Sequence, residues 1–383
     1  MNDVFIVEMG SYLPNDPIGN DAMESVLGMI GDRPSRARRI TLRNNGIRSR
    51  HYAIDPATGR STHSNAQLCA LAIRQGLQRA GWGVGDLDLL ACGTSSPDQL
   101  KPGHASMVHA ELGTARLEAV SMAGVCCAGM AALKYAYLMV KTGEARRAAA
   151  TGSELASTFL VARNFSAESA DQITTAAAQP ALAFEKDFLR WMLSDGAGSA
   201  LISAEPNIDR LSLRIEWIEG LSLANELPVC MYSGAIKLED GRLRGWRDAE
   251  SRSAVIRDHY FAIKQDARLL DEHIGRLVAA DIIGAILTKH GVGAADIDWF
   301  LPHYSSQYFR PLLAKKLLGI GIAIPEQRWF SNLATVGNVG AGSIYLMLEE
   351  LWHGGKLTRG ERILCFVPES ARFSVYYMLL TVV

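Results

Sequence analysis

Short apolar runs alternate along the chain with longer stretches in which apolar residues recur at helical spacing. Apolar runs bounded by Gly, Pro, Asp or Ser predict buried strands at 5–7, 87–92, 148–152, 197–203, 299–302 and 363–367. Helical spacing predicts helices near 65–81, 103–113, 127–142, 252–290, 305–318 and 341–353. This alternation predicts an α/β architecture with largely parallel sheets.

A similar order of elements occurs twice. Each half has a strand that ends in a polar turn, and later a Gly-rich turn that opens an apolar helix: 93–96 and 126–130, then 302–306 and 337–343. The polar segment 204–212 separates these two series, and no low-complexity linker accompanies it. We therefore expect two similar, closely packed halves, at residues 1–207 and 208–383.

Composition and charge narrow the class of protein. Hydrophobic residues make up 48% and charged residues 21% of the 383 residues, which is typical of a globular protein with a large core. Lys and Arg total 39 against 40 Asp and Glu, so no overall positive field favours nucleic acid or an anionic membrane. The start of the chain has no signal-peptide pattern, and no apolar run reaches about 18 residues, so we expect a cytoplasmic protein.

The cysteines and glycines predict neither a metal nor a nucleotide site. The six cysteines form no CxxC pair and no Cys/His spacing of a metal site, so free thiols are expected. Neither GxxxxGK[ST] nor a GxGxxG after a strand occurs. No cofactor is predicted.

Three polar residues stand at the ends of predicted elements. Cys126 and Cys127 lie where a strand pattern meets a long helix pattern, and a helix N-terminus stabilises a thiolate. His303 follows the strand 299–302, and Asn338 lies in a glycine-dense turn before a helix. The alternatives are a packed small hydrophobe, a helix-capping histidine and a turn asparagine.

Several motifs give the chain a resemblance to the ketoacyl-ACP synthase III type of the thiolase superfamily. They are GSYLP at 10–14, GIR at 46–48, CAG at 127–129, DGAG at 195–198, DWFLPH at 298–303 and GN at 337–338. The resemblance implies a five-layer αβαβα fold, a homodimer, and a catalytic site of Cys127, His303 and Asn338. It implies that Cys127 takes an acyl group from a carrier thioester while backbone N–H groups at the helix start hold the oxyanion. Cys126 is expected to face away along the turn. His303 and Asn338 then stabilise the enolate of a second thioester, which attacks acyl-Cys127 to form a carbon–carbon bond.

The sequence departs from the chain-initiating members of that family. These carry a Trp and an Arg that hold coenzyme A, and Ile40 and Asn44 stand at those positions here. Delivery of both substrates by acyl carrier protein is therefore expected. A basic segment would attract such an acidic carrier, although it is also typical of a solvated surface: Arg36, Arg38, Arg39, Arg43, Arg48 and Arg50.

A narrower resemblance is to the ketosynthases that form dialkylresorcinol and cyclohexanedione precursors. It rests on LPNDP at 13–17, LRNNGI at 42–47 and THSNAQL at 62–68. A further departure from the chain-initiating enzymes is PESARF at 368–373, where those enzymes usually have a Gly-Gly-Gly-Phe loop. The narrower resemblance implies condensation of a 3-oxoacyl thioester with a second acyl thioester, followed by ring closure. Ring closure needs a base, for which Glu154 is the first candidate and Glu369 the second, while Glu154 is equally suited to orienting a loop.

Other functions stay open at this point. Cys127, His303 and Asn338 suffice for a chain-initiating enzyme that condenses an acyl group with malonyl-ACP by decarboxylation. A thioester hydrolase or acyltransferase would use the same Cys and His. A non-catalytic partner subunit normally lacks the nucleophile, so Cys127 argues against that class.

Overall fold

In the part of the chain that the structure describes, a nine-stranded mixed sheet forms the centre of the fold. A computed structural model describes residues 2–30, 36–113, 115–165 and 189–383. The strands are β1 (Phe5–Tyr12), β2 (Ile18–Gly19), β3 (Ser49–Arg50), β4 (Leu89–Thr94), β5 (Glu118–Ala123), β6 (Arg147–Glu154), β7 (Gly196–Ser203), β8 (Leu213–Ser222), β9 (Met231–Tyr232), β10 (Ala235–Lys237), β11 (Leu243–Gly245), β12 (Lys264–Gln265), β13 (Trp299–Pro302), β14 (Arg362–Glu369) and β15 (Ser374–Val382). The α-helices of these parts are α1 (Met23–Leu27), α2 (Arg36–Asn45), α3 (Asn65–Ala80), α4 (His104–Leu112), α5 (Cys126–Thr142), α6 (Ser157–Leu160), α7 (Arg252–Arg257), α8 (Ala267–His273), α9 (Ala285–Lys289), α10 (Phe309–Gly319), α11 (Leu333–Val336) and α12 (Ser343–His353).

The strand order of the large sheet is similar on the two sides of the contact between β1 and β8. The order is β13-β14-β15-β8-β1-β7-β6-β4-β5, and β1 meets β8 through the pairs Phe5↔Arg214 and Ile6↔Leu213. On each side of this contact, the first strand of the series pairs with the last, and the strands of this sheet that lie between these two in the sequence are found further out. The predicted boundary after residue 207 lies in the connection between β7 and β8, and the division of the chain there stays a prediction.

The expectation of largely parallel sheets is wrong. Parallel pairing joins β4 to β5, β4 to β6 and β13 to β14. The other neighbours in the large sheet pair antiparallel: β1 with β7, β1 with β8, β6 with β7, β14 with β15, and β15 with β8. Helices cover both faces, so antiparallel strands here are as continuously apolar as parallel ones, and sequence runs do not distinguish the two.

Helices pack in three layers around the two parts of the sheet. Helices α3 and α4 cover the outer face of the first part, where Ile73 and Val108 pack with Leu90. Helices α5 and α12 lie between the two parts, and their Leu133 and Leu348 belong to one buried cluster. The outer face of the second part is covered by α8, α9 and α10. The predicted five-layer αβαβα fold is confirmed.

Two glycines let the Gly-rich turn of the second half approach α5 closely. A Cβ added at Gly129 or Gly152 would lie 2.2 or 2.0 Å from the carbonyl oxygen of Ala341. Distances below 3.0 Å do not occur for real Cβ atoms, so no larger residue fits without a backbone shift. The close approach places the turn that carries Asn338 beside the start of α5.

The long helix predicted at 252–290 is broken. The segment contains α7, the short strand β12, α8, a 3-10 turn, a π-helical turn and α9. Ser251 and Asp266 each accept a backbone N–H at the start of α7 and α8, respectively, so each cap begins a new helix. Strands β8 and β15 were not predicted, and β5 was indicated only as the strand pattern before Cys126. No helix in the described ranges is long and apolar enough to cross a bilayer.

Candidate active site

A cavity of about 360 Å³ opens beside the starts of α5 and α12, a volume typical of small-molecule sites. Three of the four predicted site residues line it, namely Glu154, His303 and Asn338, and so does Cys126. The rest of the wall is largely apolar, with Phe159, Leu193, Ile263, Leu270, Leu313 and Phe366 among its residues. The cavity therefore combines a few polar groups with space for an apolar chain.

His303 directly follows β13 and is positioned by the neighbouring strand. Its backbone N–H donates to the carbonyl oxygen of Phe366 at 2.8 Å. The side chain is buried, and burial lowers the pKa of His303 to about 4. The imidazole is therefore neutral at pH 7 and offers one N–H donor to the cavity.

Asn338 is fixed by its backbone and by its own amide oxygen. Its N–H donates to the carbonyl oxygen of Met192 at 3.0 Å, and its carbonyl oxygen accepts from Ser194 at 2.9 Å. Its Oδ1 accepts the N–H of Gly340 at 2.9 Å, which directs the amide nitrogen the other way. Within the described ranges no hydrogen bond of Nδ2 is recorded, so its two N–H donors are available to a ligand.

The cysteine pair is arranged differently from the sequence expectation. Cys126, expected to face away, lies on the cavity wall and is partly exposed. Cys127 is 6% exposed, and its thiol donates to the carbonyl oxygen of Val367 at 3.4 Å. The expectation for the direction of Cys126 is wrong, because the helix begins at Cys126 itself. The choice of Cys127 as nucleophile stays a prediction.

The thiols are protonated at neutral pH in this conformation. Burial raises the pKa of Cys127 well above its ordinary value, and the negative charge of Glu369 raises it further. The same two causes, in the same order, raise the pKa of Cys126. Burial and a nearby carboxylate thus oppose the stabilisation of a thiolate that the helix N-terminus offers.

Glu369 occupies the backbone donors at the start of α5. Its Oε2 accepts the N–H groups of Val125 and Cys127, each at 3.0 Å. Burial raises the pKa of Glu369, while these two hydrogen bonds oppose the rise. The family resemblance assigns N–H groups of this helix start to the oxyanion of an acyl transfer, and here a carboxylate of the same chain holds them.

Glu154 is a fully enclosed carboxyl with four donors. Its Oε1 accepts from the N–H groups of Ser95 and Ala341 at 3.2 Å each. Its Oε2 accepts from the hydroxyls of Ser95 at 2.7 Å and Ser96 at 2.6 Å. Burial raises the pKa of Glu154 to about 7, although all four hydrogen bonds lower it. Glu154 thus joins the end of β4 to the turn before α12, and it titrates near neutral pH.

The predicted basic patch is only partly a surface. Arg50 is fully buried and donates to the carbonyl oxygen of Trp191 at 3.1 Å. Arg38 forms an ion pair with Glu24 at 2.7 Å. The side chain of Arg36 lies outside the described residues. The members of the patch that stay exposed are Arg39, Arg43 and Arg48. The prediction is wrong for Arg50, because an arginine in a run of basic residues was assumed to be solvated.

Sequence reasoning missed most of the cavity wall. The apolar wall comes from residues near 189–193, 231–233 and 263–278, which lie in short elements. The last range falls inside the segment 252–290, for which one long helix was expected. Ser95 and Ser96, which hold Glu154, were noticed only as a polar strand end. A polar pair directly after a buried strand is the signal that could have indicated their role.

The strand order and the central pair of helices define a thiolase-like fold, and comparisons with known proteins agree. Residues 287–367 match the family model for the 3-oxoacyl-[acyl-carrier-protein (ACP)] synthase III C terminal. The chain is 26% identical, over 94% of its length and 93% of the relative, to a beta-ketoacyl-[acyl-carrier-protein] synthase III of Hyphomonas neptunium.

Two solved structures show the same fold over nearly the whole chain. One is AbyA1, a tetronic acid condensing enzyme, with a TM-score of 0.75, 22% identity and 99% of both chains covered. The other is a variant of OleA from Xanthomonas campestris, with a TM-score of 0.75, 18% identity, and 99% of this chain and 98% of that one covered. Together the comparisons show that the chain is similar in sequence to ketoacyl-ACP synthases III and shares its fold with AbyA1 and OleA.

Proposed function

We propose that the protein is a ketosynthase that joins two acyl thioesters, one of them a 3-oxoacyl-ACP, through an acyl-Cys127 intermediate. The product cyclises to a cyclohexanedione or dialkylresorcinol precursor. The observation that carries this proposal is one apolar cavity that gathers His303, Asn338 and Glu154 beside the cysteine pair. The similarity to ketoacyl-ACP synthases III and to a tetronic acid condensing enzyme supports it.

Cys127 attacks the carbonyl carbon of the first thioester, and the carrier thiol leaves. The second thioester then binds with its carbonyl oxygen toward His303 and Asn338. A neutral imidazole N–H and an amide N–H suit an enolate, because its charge develops only during the reaction and each such donor is worth about 2.7–4 kcal/mol. The carbon between the two carbonyls of this thioester loses a proton to give the enolate, which attacks the carbonyl carbon of acyl-Cys127. The bond between that carbon and the Cys127 sulfur breaks, and the released thiolate takes up a proton to become the thiol again.

Ring closure needs a group that removes a proton from carbon between two carbonyls. Glu154 lines the cavity, and its pKa of about 7 is suited to a base at neutral pH. Its four donors equally suit a residue that holds Ser95, Ser96 and Ala341 in place. We propose that Glu154 is the base of ring closure, and the Glu154→Gln variant distinguishes this role from the structural one.

The test is an incubation of purified protein with pairs of acyl-ACP thioesters, one of them a 3-oxoacyl-ACP, with products identified by mass. We expect a cyclic product whose mass contains both acyl groups. A linear 3-oxoacyl product from acetyl-CoA and malonyl-ACP, with no cyclic product from any pair, would contradict the proposal.

That contrary result would support the second candidate, a chain-initiating ketoacyl-ACP synthase III. The names of the curated relatives favour it. Ile40 is 51% exposed and Asn44 is also exposed. Because one side chain is aliphatic and the other an amide, they provide neither the stacking ring nor the cation that the resemblance associates with coenzyme A. This favours delivery of both substrates by acyl carrier protein.

We also propose that the protein is a cytoplasmic homodimer. Strand β5 ends the large sheet and pairs only with β4 in the described parts of the chain, so one of its edges is open. Its residues are exposed or half-buried. An open edge favours pairing with the same strand of a second copy. Light scattering after size exclusion tests this, and a monomer at micromolar concentration would contradict it.

A further inference from the structure

Glu369 is a buried carboxylate that the steps above do not use. It is 9% exposed, and its Oε2 accepts from the backbone N–H groups of Val125 and Cys127. No ion pair of Glu369 with a Lys or Arg is recorded in the described ranges. Its charge is therefore stabilised by the backbone at the start of a 17-residue helix rather than by a cation.

The titratable groups that face Glu369 are two thiols and a phenol. Cys126 and Cys127 belong to α5, and Tyr376 belongs to the neighbouring strand β15. A thiolate and a carboxylate in one buried place repel each other, so the two groups compete for one proton. The charge of Glu369 accordingly raises the pKa of both thiols, and burial raises the pKa of Glu369 itself.

We propose that Glu369 is the proton carrier of the acyl-transfer step, taking the thiol proton of Cys127 and giving it to the departing carrier thiol. This inference rests on the acyl-Cys127 intermediate of the proposed function. The thiol of Cys127, which donates to the carbonyl oxygen of Val367 in this conformation, first turns to Glu369, whose Oε2 already contacts the backbone N–H of the same residue. The S–H bond then breaks, and its proton binds the carboxylate. The sulfur attacks the thioester carbon, the bond between that carbon and the carrier sulfur breaks, and the carrier sulfur takes the proton. Glu369 is then a carboxylate again.

The hydrogen bonds of Glu369 give this transfer a second effect. Hydrogen bonds to a carboxylate are about twice as strong as those to a neutral acceptor. When Glu369 takes the proton, its hold on the N–H groups of Val125 and Cys127 weakens. This occurs at the moment when charge develops on the thioester oxygen, which needs such donors. The thiol proton thus controls both the nucleophile and the oxyanion donors.

The first measurement is acyl loading of Glu369→Gln, followed by intact mass in a Cys126→Ala background. The amide oxygen still accepts from the two N–H groups, so the fold is kept, but the amide cannot carry the proton. We expect loading at pH 7 to slow about 10²-fold or more, the usual size of acid–base assistance. Glu239→Gln, the same change at an exposed carboxyl, is the matched control and should load at the parental rate.

The second measurement is alkylation of Cys127 by iodoacetamide as a function of pH, followed by peptide mass. In the parent, Glu369 and Cys127 together hold one proton at pH values between the pKa of Glu369 and that of the thiol. The fraction of molecules in which this proton lies on Glu369 and Cys127 is a thiolate does not change with pH in that range, so the alkylation rate should not change either. In Glu369→Gln the rate should rise tenfold per pH unit and exceed the parental rate. Faster alkylation with slower acylation is a combination that a merely structural role does not produce.

Two results would overturn the assignment. One is a parental alkylation rate that rises tenfold per pH unit throughout, as in Glu369→Gln. The other is acyl loading of Glu369→Gln at the parental rate. If the parent accepts no acyl group from any carrier, that result contradicts the proposed function instead. The alkylation profile of the parent needs neither a variant nor a carrier, so it still decides whether Glu369 and Cys127 share a proton.

Discussion

Replacing Glu154 by glutamine tests whether this carboxyl is a base or a structural link, because the amide preserves its contacts. The amide oxygen can accept from the N–H groups of Ser95 and Ala341, which both contact Oε1. The amide nitrogen then faces the hydroxyls of Ser95 and Ser96, and a hydroxyl can rotate to accept. Glu154→Gln therefore removes the titration while keeping the size and the hydrogen-bond number.

The size of the effect on stability follows from the pKa of Glu154. Burial raises this pKa from 4.5 to about 7, so the folded protein binds the proton more tightly than the unfolded chain does. The resulting stabilisation is fully present below pH 4.5 and is lost as pH rises through about 7. A shift of this size corresponds to about 3 kcal/mol.

The assay is urea unfolding of the parent and Glu154→Gln between pH 4.5 and pH 8, with Glu239→Gln as control. The free energy of unfolding of Glu154→Gln relative to the parent should rise by about 3 kcal/mol across this interval. Other buried acids, such as Asp195, titrate equally in both proteins and cancel. Parallel pH profiles would refute the raised pKa and the reasoning built on it.

The catalytic role of Glu154 is read separately, from products. If Glu154 is the ring-closing base, Glu154→Gln keeps acylation and a linear condensation product, while the cyclic product falls about 10²–10⁴-fold. Cyclisation by the parent should rise with pH through about 7, because the base must be ionised. Parental rates of cyclic product in Glu154→Gln would leave Glu154 with a structural role only.

Five further substitutions test the cysteine pair, the enolate donors and the packing. Cys127→Ala should abolish the acyl adduct seen by intact mass and Cys126→Ala should keep it, and the reverse pattern would move the nucleophile to the cavity-wall cysteine. His303→Ala and Asn338→Ala should still be acylated yet form no carbon–carbon bond, so loss of acylation in both would contradict that division of labour. Gly152→Ala should lower the melting temperature markedly, because its Cβ would lie 2.0 Å from a carbonyl oxygen of the turn before α12, and an unchanged melting temperature would count against this packing.

The sequence predicted the elements with a strong period and the residues at their ends. The strand at 299–302 has the predicted bounds, and His303 and Asn338 line one cavity as element ends should. Strand direction was mispredicted because burial on both faces gives the same apolar run in either direction. The orientation of Cys126 changes if the first residue of α5 moves by one position, and the periodicity of the sequence does not define helix boundaries that closely.

The contact of Glu369 with the start of α5 was beyond sequence reasoning for a different reason. It joins residues separated by more than 240 positions, and its partners are backbone N–H groups. No side-chain pattern near residue 125 indicates an acceptor at residue 369. The loop 368–373 was recognised only as a departure from a glycine-rich pattern, and the structure adds the contact that the departure creates.

The strand order also determines when the protein can fold during its synthesis. Strand β1 pairs with β7 from Phe5↔Ser203 onward, so the ribosome adds about 200 residues, at roughly 5–20 per second, before that partner exists. The wait is on the order of 10–40 s at these rates. Strand β8 then waits in turn for β15, which begins at Ser374. Apolar strands with open edges are thus exposed twice in the nascent chain, and this fold has a particular need for chaperones that bind such edges.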